Sequence, residues 1–236
     1  MLEATLRERV ADLLSASTRS DVPPFMVMDV MSAAERIEAA GGHVIHMEVG
    51  QPAAAAPKTA LAAARAALDG GRIDYTSALG IPSLRARIAR HYRDAYGCEV
   101  DAGRIVVTTG SSGAFILAFL SMFEPGDRVA VTVPGYPPYR HILTALGCEP
   151  VLIETSGQTR HALTGEALLE AHRAKPVQGV LVGSPANPTG TMMSREALTN
   201  LIAAAQGAGI RFISDEIYHG LDYAFPAVTA AELSPH

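Results

Sequence analysis

From residue 104 onward, short apolar runs rich in β-branched residues alternate with stretches of helical periodicity. This alternation limits the possible folds more than any other feature. The runs are Arg104–Thr109, Arg128–Val133, Pro150–Ile153, Val177–Val182 and Ile210–Ser214. The helical patterns between and after them cover Ser112–Phe123, Tyr139–Leu146, Gly165–Arg173 and Ser194–Gln206. Strand and helix in regular succession predict an α/β architecture: a mostly parallel sheet flanked by helices. A run such as Val177–Val182, without a polar face, suits a strand covered on both sides. In such sheets ligands bind beyond the carboxyl ends of the strands. The residues that follow each run are therefore where chemistry is to be sought.

The preceding part reads differently. Helical patterns cover Met26–Ala40, Lys58–Leu68 and Ser83–Ala95, and the alanines of Ala60–Ala67 strengthen the second of these. A further helix is expected ahead of the Pro23-Pro24 break, and Gly41-Gly42 closes the next one. Residues 1–49 are read as an arm or a segment of a small domain. Residues 50–236 are read as a large domain that is incomplete at its C-terminal end.

Composition narrows the class. The net charge is −5, with 48% hydrophobic and 18% charged residues over 236 positions. Such values belong to a globular protein and argue against disorder. No basic stripe offers a footprint for nucleic acid. The longest apolar runs are too short to span a bilayer, and Met1–Ser20 lacks the apolar centre of a signal peptide. Cys98 and Cys148 are far apart and form no CxxC pair, so neither a metal site nor a disulfide framework is expected. A cytoplasmic protein, free of membrane and nucleic acid, is the expectation.

Four loops carry the chemistry. After the first run comes Thr109-Gly110-Ser111-Ser112-Gly113-Ala114, opening a helix. Small residues there let backbone N–H groups approach an anion, and the helix N-terminus favours negative charge; a turn with a serine N-cap is the plainer alternative. The loop lacks a P-loop lysine and fits neither GxSxG nor GxGxxG. After the second run, Tyr136 and Tyr139 lie in a Pro/Gly turn and could stack on a planar ring, or simply face solvent. After the fourth, prolines bracket Asn187 within Ser184-Pro185-Ala186-Asn187-Pro188-Thr189-Gly190, which fixes the direction of one amide. After the fifth, Asp215 follows an apolar run. A carboxylate there needs a partner, either as a helix cap or as the holder of a cation.

Together these stretches resemble the class I/II aminotransferases, pyridoxal-phosphate (PLP) enzymes of fold type I. The resemblance rests on Gly50-Gln51-Pro52, Tyr75 through Gly80 with Leu84-Arg85, Gly110 through Ala114, Pro134-Gly135-Tyr136, Ser184 through Gly190 and Asp215-Glu216-Ile217-Tyr218. It runs from about residue 20 to about residue 230. It implies the PLP-transferase fold, with an incomplete large domain and an N-terminal small-domain segment. It also implies PLP as cofactor, and transfer of an amino group between an amino acid and a 2-oxo acid in a homodimer. Asp215 would pair with the pyridine nitrogen, where a charge-assisted bond improves the ring as an electron sink. Asn187 and Tyr218 would hold the phenolic oxygen, and Tyr136 would stack on the ring. Ser111, Ser112 and the N–H of Gly113 would hold the phosphate. Gly50, with Asn187, would lie beside the substrate carboxylate, and Tyr75 would reach the phosphate of the neighbouring subunit.

The family also needs a lysine that forms a Schiff base with the cofactor. No lysine follows Asp215, and every basic residue but Lys58 and Lys175 is arginine. Both lysines read as surface residues, so no catalytic residue is assigned. The chain is expected to be a C-terminally truncated copy, inactive alone. A non-catalytic binding or dimerisation module on the same scaffold, or a PLP-dependent lyase or decarboxylase, are the alternatives.

Overall fold

The computed structural model describes residues 14–50, 54–71 and 73–234. Most of the helix expected before Pro23 lies outside them, as do Gln51 and Pro52. The described chain forms two compact units. One comprises residues 14–23, 90–100 and 108–234, the other 24–89 and 101–107 less the undescribed positions.

The larger unit is built on four parallel strands: β1 (Arg128–Val133), β2 (Glu149–Glu154), β3 (Gly179–Gly183) and β4 (Arg211–Asp215), in the order β2-β1-β3-β4. Their carboxyl ends share one edge of the sheet, with Val133 beside Glu154 and Gly183 beside Asp215. Alternation along the pleat divides the core in two. Val129 and Val131, with Leu181, pack under Phe115, Phe119, Tyr139 and Leu143. Ala130, Val180 and Val182 face Leu168, Leu198, Leu201, Ile202 and Ala205 on the opposite side.

The helices that supply these residues are α4 (Gly110–Met122) and α5 (Pro137–Ala145) on the first face, and α6 (Gly165–Ala174) and α7 (Arg195–Gly207) on the second. α5 starts two residues before its apolar pattern because Pro137 and Pro138 suit the first helical positions, where no N–H donor is required. α6 and α7 are capped by the hydroxyls of Thr164 and Ser194, which accept from the N–H groups of Ala167 and Ala197. A short helix, α8 (Ala230–Leu233), ends the described chain.

The smaller unit contains α1 (Met26–Ala39), α2 (Lys58–Asp69) and the start of α3 (Pro82–Tyr96). It corrects one sequence expectation. Arg104–Thr109 is not a strand: a 3-10 turn at Ala102–Arg104 leads into extended backbone that joins no sheet among the described residues. The cause is Arg85. Its Nε donates to the Ile105 carbonyl (2.8 Å), an acceptor that a neighbouring strand would use, and its Nη2 donates to the Ala102 carbonyl of the preceding turn (2.6 Å). Only Val107 makes a strand-like contact, donating to Leu79 at 3.0 Å. Gly80 lies against the same segment. At φ +97° it adopts backbone that favours glycine, and a Cβ there would sit 2.6 Å from Val107 Cγ2.

An exposed histidine in this unit gives a pH prediction. His46 Nδ1 is 2.6 Å from Glu48 and Nε2 is 3.1 Å from Glu38. These bonds, the one to Glu48 foremost, hold the His46 pKa above its ordinary value. Because the folded value is raised, the associated stability is present while the ring is protonated. It is lost as pH rises through that raised value. Glu48→Gln should lower the titration midpoint of the His46 ring protons in NMR, and an unmoved midpoint would refute the assignment.

Candidate active site

The site lies where the loops after β1, β3 and β4 emerge from the carboxyl edge of the sheet. Asp215 ends β4 and is half-buried. Its Oδ1 accepts from the Ile217 N–H at 3.1 Å, and its Oδ2 accepts from the Tyr139 hydroxyl. Tyr139 is buried (7% exposed), and its phenol is pushed far above the ordinary tyrosine range, first by burial and then by the bond to Asp215. It therefore stays a neutral donor. Its ring stands edge-on to Tyr136, with centroids 5.3 Å apart, and edge-on to Phe115. Tyr139 is thus a buried member of this core, whereas Tyr136 is only partly buried and packs against its margin. Burial raises the Tyr136 phenol, with smaller contributions from Tyr218 and Asp215; through its contact with Tyr139, which bonds Asp215, Tyr136 lies beside the end of β4.

The turn before Tyr136 is sterically fixed: a Cβ on Gly135 would fall 2.2 Å from the Thr132 carbonyl oxygen. Glycine is required there by close approach of the backbone.

The loop after β3 closes on itself. Ala186 donates to the Thr191 carbonyl at 2.9 Å and Gly190 to that of Ala186 at 2.7 Å, so residues 187–189 form a tight projection. Asn187 Nδ2 lies 3.4 Å from the Tyr218 hydroxyl. The β3 and β4 loops are joined below this pair, since the Ser184 N–H donates to the Asp215 carbonyl at 3.0 Å.

α4 begins differently from α6 and α7. Its N-cap, Thr109, makes no side-chain cap, and Gly110 takes φ +77°. The Thr108 hydroxyl turns instead to the Gly110 carbonyl. The serine cap weighed above is thus not formed. The first-turn N–H groups are left without a side-chain acceptor, and the hydroxyls of Ser111 and Ser112 lie on the same turn. A dianion fits this end of a thirteen-residue helix.

The remaining candidates lie in the smaller unit. Gly50 is exposed, and a Cβ there would meet nothing within 4 Å, so the chain's own packing does not require glycine. Tyr75 is fully exposed. Lys58 opens α2 and is exposed. Lys175 pairs with Glu149 at 2.9 Å, at the amino end of β2 and so at the opposite edge of the sheet from Asp215. Among the described residues no group of three or more His, Cys, Asp or Glu could hold a metal ion.

An aspartate at the end of one parallel strand, a tyrosine turn, a fixed amide and a helix N-terminus without a side-chain cap together make a surface whose chemistry suits a phosphorylated, planar cationic ring. The chain belongs to the family described as aminotransferase class I and II, whose match covers residues 42–236. This is a family of PLP enzymes. The chain is 49% identical to a valine–pyruvate aminotransferase from Mycobacterium tuberculosis, over 87% of this chain and 52% of that protein. It is 30% identical to an aspartate aminotransferase from Geobacillus stearothermophilus, over 98% and 56% respectively. Its fold matches the crystal structure of an aminotransferase from Mycobacterium tuberculosis at 47% identity, with a TM-score of 0.85, covering 91% of this chain and 55% of that one. The chain thus spans about half the length of the relatives it matches.

The donor set fits PLP. By its chemistry Asp215 would suit a pyridinium, Asn187 and Tyr218 a phenolic oxygen, Tyr136 a ring face, and the start of α4 a phosphate. Tyr139 is the member to which sequence reasoning gives no settled role. It neither faces solvent nor stands clear as a stacking ring: it is buried and donates to Asp215. Its partner is 76 residues away, and no local signal announces such a bond.

Proposed function

We propose that this chain forms the PLP-binding part of an aminotransferase that moves an amino group between an amino acid and a 2-oxo acid. The binding part lies within residues 50–236. The observation that carries this reading is the gathering of Asp215, Tyr136 and Tyr218 at one edge of the sheet, with Asn187 beside Tyr218. Bound there, PLP supplies an electron sink for the bond broken at the substrate Cα. Asp215, held at both oxygens, faces the ring nitrogen and keeps its proton in place. Asn187 and Tyr218 orient the ring through its phenolic oxygen. Tyr136 covers one face and excludes water from it. Ser111, Ser112 and the Gly113 N–H fix the phosphate end.

The 49% identity to a valine–pyruvate aminotransferase favours an aliphatic amino acid as donor and pyruvate as acceptor. We further propose a homodimer, in which exposed Tyr75 reaches the partner's phosphate site and Gly50 leaves room for the substrate carboxylate. Among the described residues no helix is long and apolar enough to cross a membrane; a cytoplasmic location accords with the family.

The test is binding of pyridoxamine phosphate, which needs no lysine, followed by fluorescence. Saturable one-to-one binding is expected. After PLP addition and borohydride reduction, peptide mapping should find no stoichiometric label on Lys58 or Lys175. No binding would overturn the reading. Stoichiometric label on either lysine would overturn the placement of the site.

A further inference from the structure

Below the site lies a histidine to which neither the sequence motifs nor the family resemblance gave a role. His219 follows Tyr218 directly, and its side chain is 7% exposed. Nε2 lies 3.0 Å from the Ser184 carbonyl oxygen, and Nδ1 lies 2.9 Å from the Tyr96 hydroxyl. A carbonyl can only accept, so Nε2 carries the hydrogen. In the neutral ring Nδ1 then accepts from Tyr96. One imidazole thereby joins the end of α3, the start of the β3–α7 loop and the turn after β4. The Tyr96 ring packs against it at a centroid distance of 5.6 Å.

Its neighbours are themselves fixed. The Ser184 hydroxyl accepts from the Met193 N–H at 3.0 Å. The turn after β4 is held from the other side by Glu216. That carboxylate accepts from the hydroxyls of Ser214 (2.9 Å) and Thr229 (2.7 Å) and from the Ala230 N–H (2.7 Å), and it stands 3.7 Å from Nδ1. Ser184 precedes Asn187 by three residues, and His219 is adjacent to Tyr218. The bond from Nε2 to Ser184 therefore spans the two backbone segments that carry the Asn187–Tyr218 pair.

We propose that His219 is a positioning residue, which sets the spacing between Asn187 and Tyr218 and so the grip of that pair on the phenolic oxygen of the cofactor. This rests on the cofactor site proposed above. A residue that merely stabilised the fold would affect all ligands of the site alike. A residue that sets this spacing governs recognition of one oxygen atom.

The experiment compares pyridoxamine phosphate with its analogue lacking the 3-hydroxyl group, by titration of the chain. The unaltered protein should prefer the parent compound by about tenfold, the worth of one hydrogen bond near the upper end of its usual range. His219→Phe keeps the ring volume but neither polar contact. It should reduce the preference to about twofold or less while the affinity for the analogue stays within about twofold. His219→Gln can still donate to Ser184 and should retain most of the preference. If His219→Phe does not fold, Tyr96→Phe, which removes the donor to Nδ1, should lower the preference in the same direction. A full preference retained in the folded phenylalanine variant, or in Tyr96→Phe where that one substitutes, would overturn the proposal. Equal binding of both compounds by the unaltered protein would overturn the role of the Asn187–Tyr218 pair, and this inference with it. No binding of either would overturn the site itself.

Discussion

Asp215→Asn should weaken binding of pyridoxamine phosphate by about ten- to a hundredfold while leaving the fold intact. Hydrogen bonds to charged groups contribute about 1.5–3 kcal/mol, and each 1.4 kcal/mol is a factor of ten in affinity. The asparagine has nearly the shape of the aspartate; its single oxygen can still accept from Tyr139, at the cost of the bond from the exposed Ile217 N–H. For the ligand, what it loses is the charge that would face the ring nitrogen. Asp215→Ala separates binding from stability. It loses the same affinity and in addition leaves the buried Tyr139 hydroxyl without its acceptor, which costs about 1–3 kcal/mol of stability. Isothermal titration for affinity and urea unfolding for stability read the two effects apart. If Asp215→Asn bound the ligand as tightly as the parent, the carboxylate would not be the pyridinium partner.

The sheet was legible because its signal is local. Arg128–Val133 reads directly as a strand, and β2, β3 and β4 shift by only one or two residues from their apolar runs. Burial of both faces requires continuous apolar residues, and such runs stand out. Arg104–Thr109 has the same composition but lacks a ladder; Arg85, 20 residues upstream, occupies its Ile105 carbonyl and also holds the Ala102 carbonyl just before the run. β-Branched composition describes a half-buried extended segment and does not specify its partner.

The site divides in the same way. Asn187, Asp215, Tyr218 and the Gly110–Gly113 turn stand at strand ends in recognisable stretches. The residues that hold them do not: Tyr139 under Asp215, and His219 with Tyr96 under the Asn187 loop. Each contributes through a contact with a residue remote in sequence, and a lone tyrosine or histidine carries no mark of this. The missing cap on α4 was equally hidden. Ser111 and Ser112 look like caps, yet the helix begins before them, at Gly110.

Phe119→Ala should destabilise the protein by about 3–5 kcal/mol, the usual cost of removing a fully buried phenylalanine. Phe119 is 1% exposed. It stacks with Phe115 at 5.9 Å and meets Phe123 at 6.1 Å, and all three fill one core with Val129, Val131 and Leu181. Space there is tight: a Cβ on Gly179 would fall 2.2 Å from the Phe123 ring. The cavity left by Phe119 therefore has little freedom to collapse from the β3 side. For a chain of this size each kcal/mol moves the melting temperature by roughly 2–4 °C, so a fall of roughly 6–20 °C is expected. Leu120, next on the same helix, is 61% exposed, and Leu120→Ala should stay within about 0.5 kcal/mol. The contrast matters for the site, because α4 presents the anion-binding turn at its first residues and Phe119 anchors the helix to the sheet two turns later. Phe119→Ala should accordingly also weaken binding of pyridoxamine phosphate at temperatures where the variant remains folded, whereas Leu120→Ala should not. Equal stability of the two variants in urea would mean that this face of α4 does not form the core described.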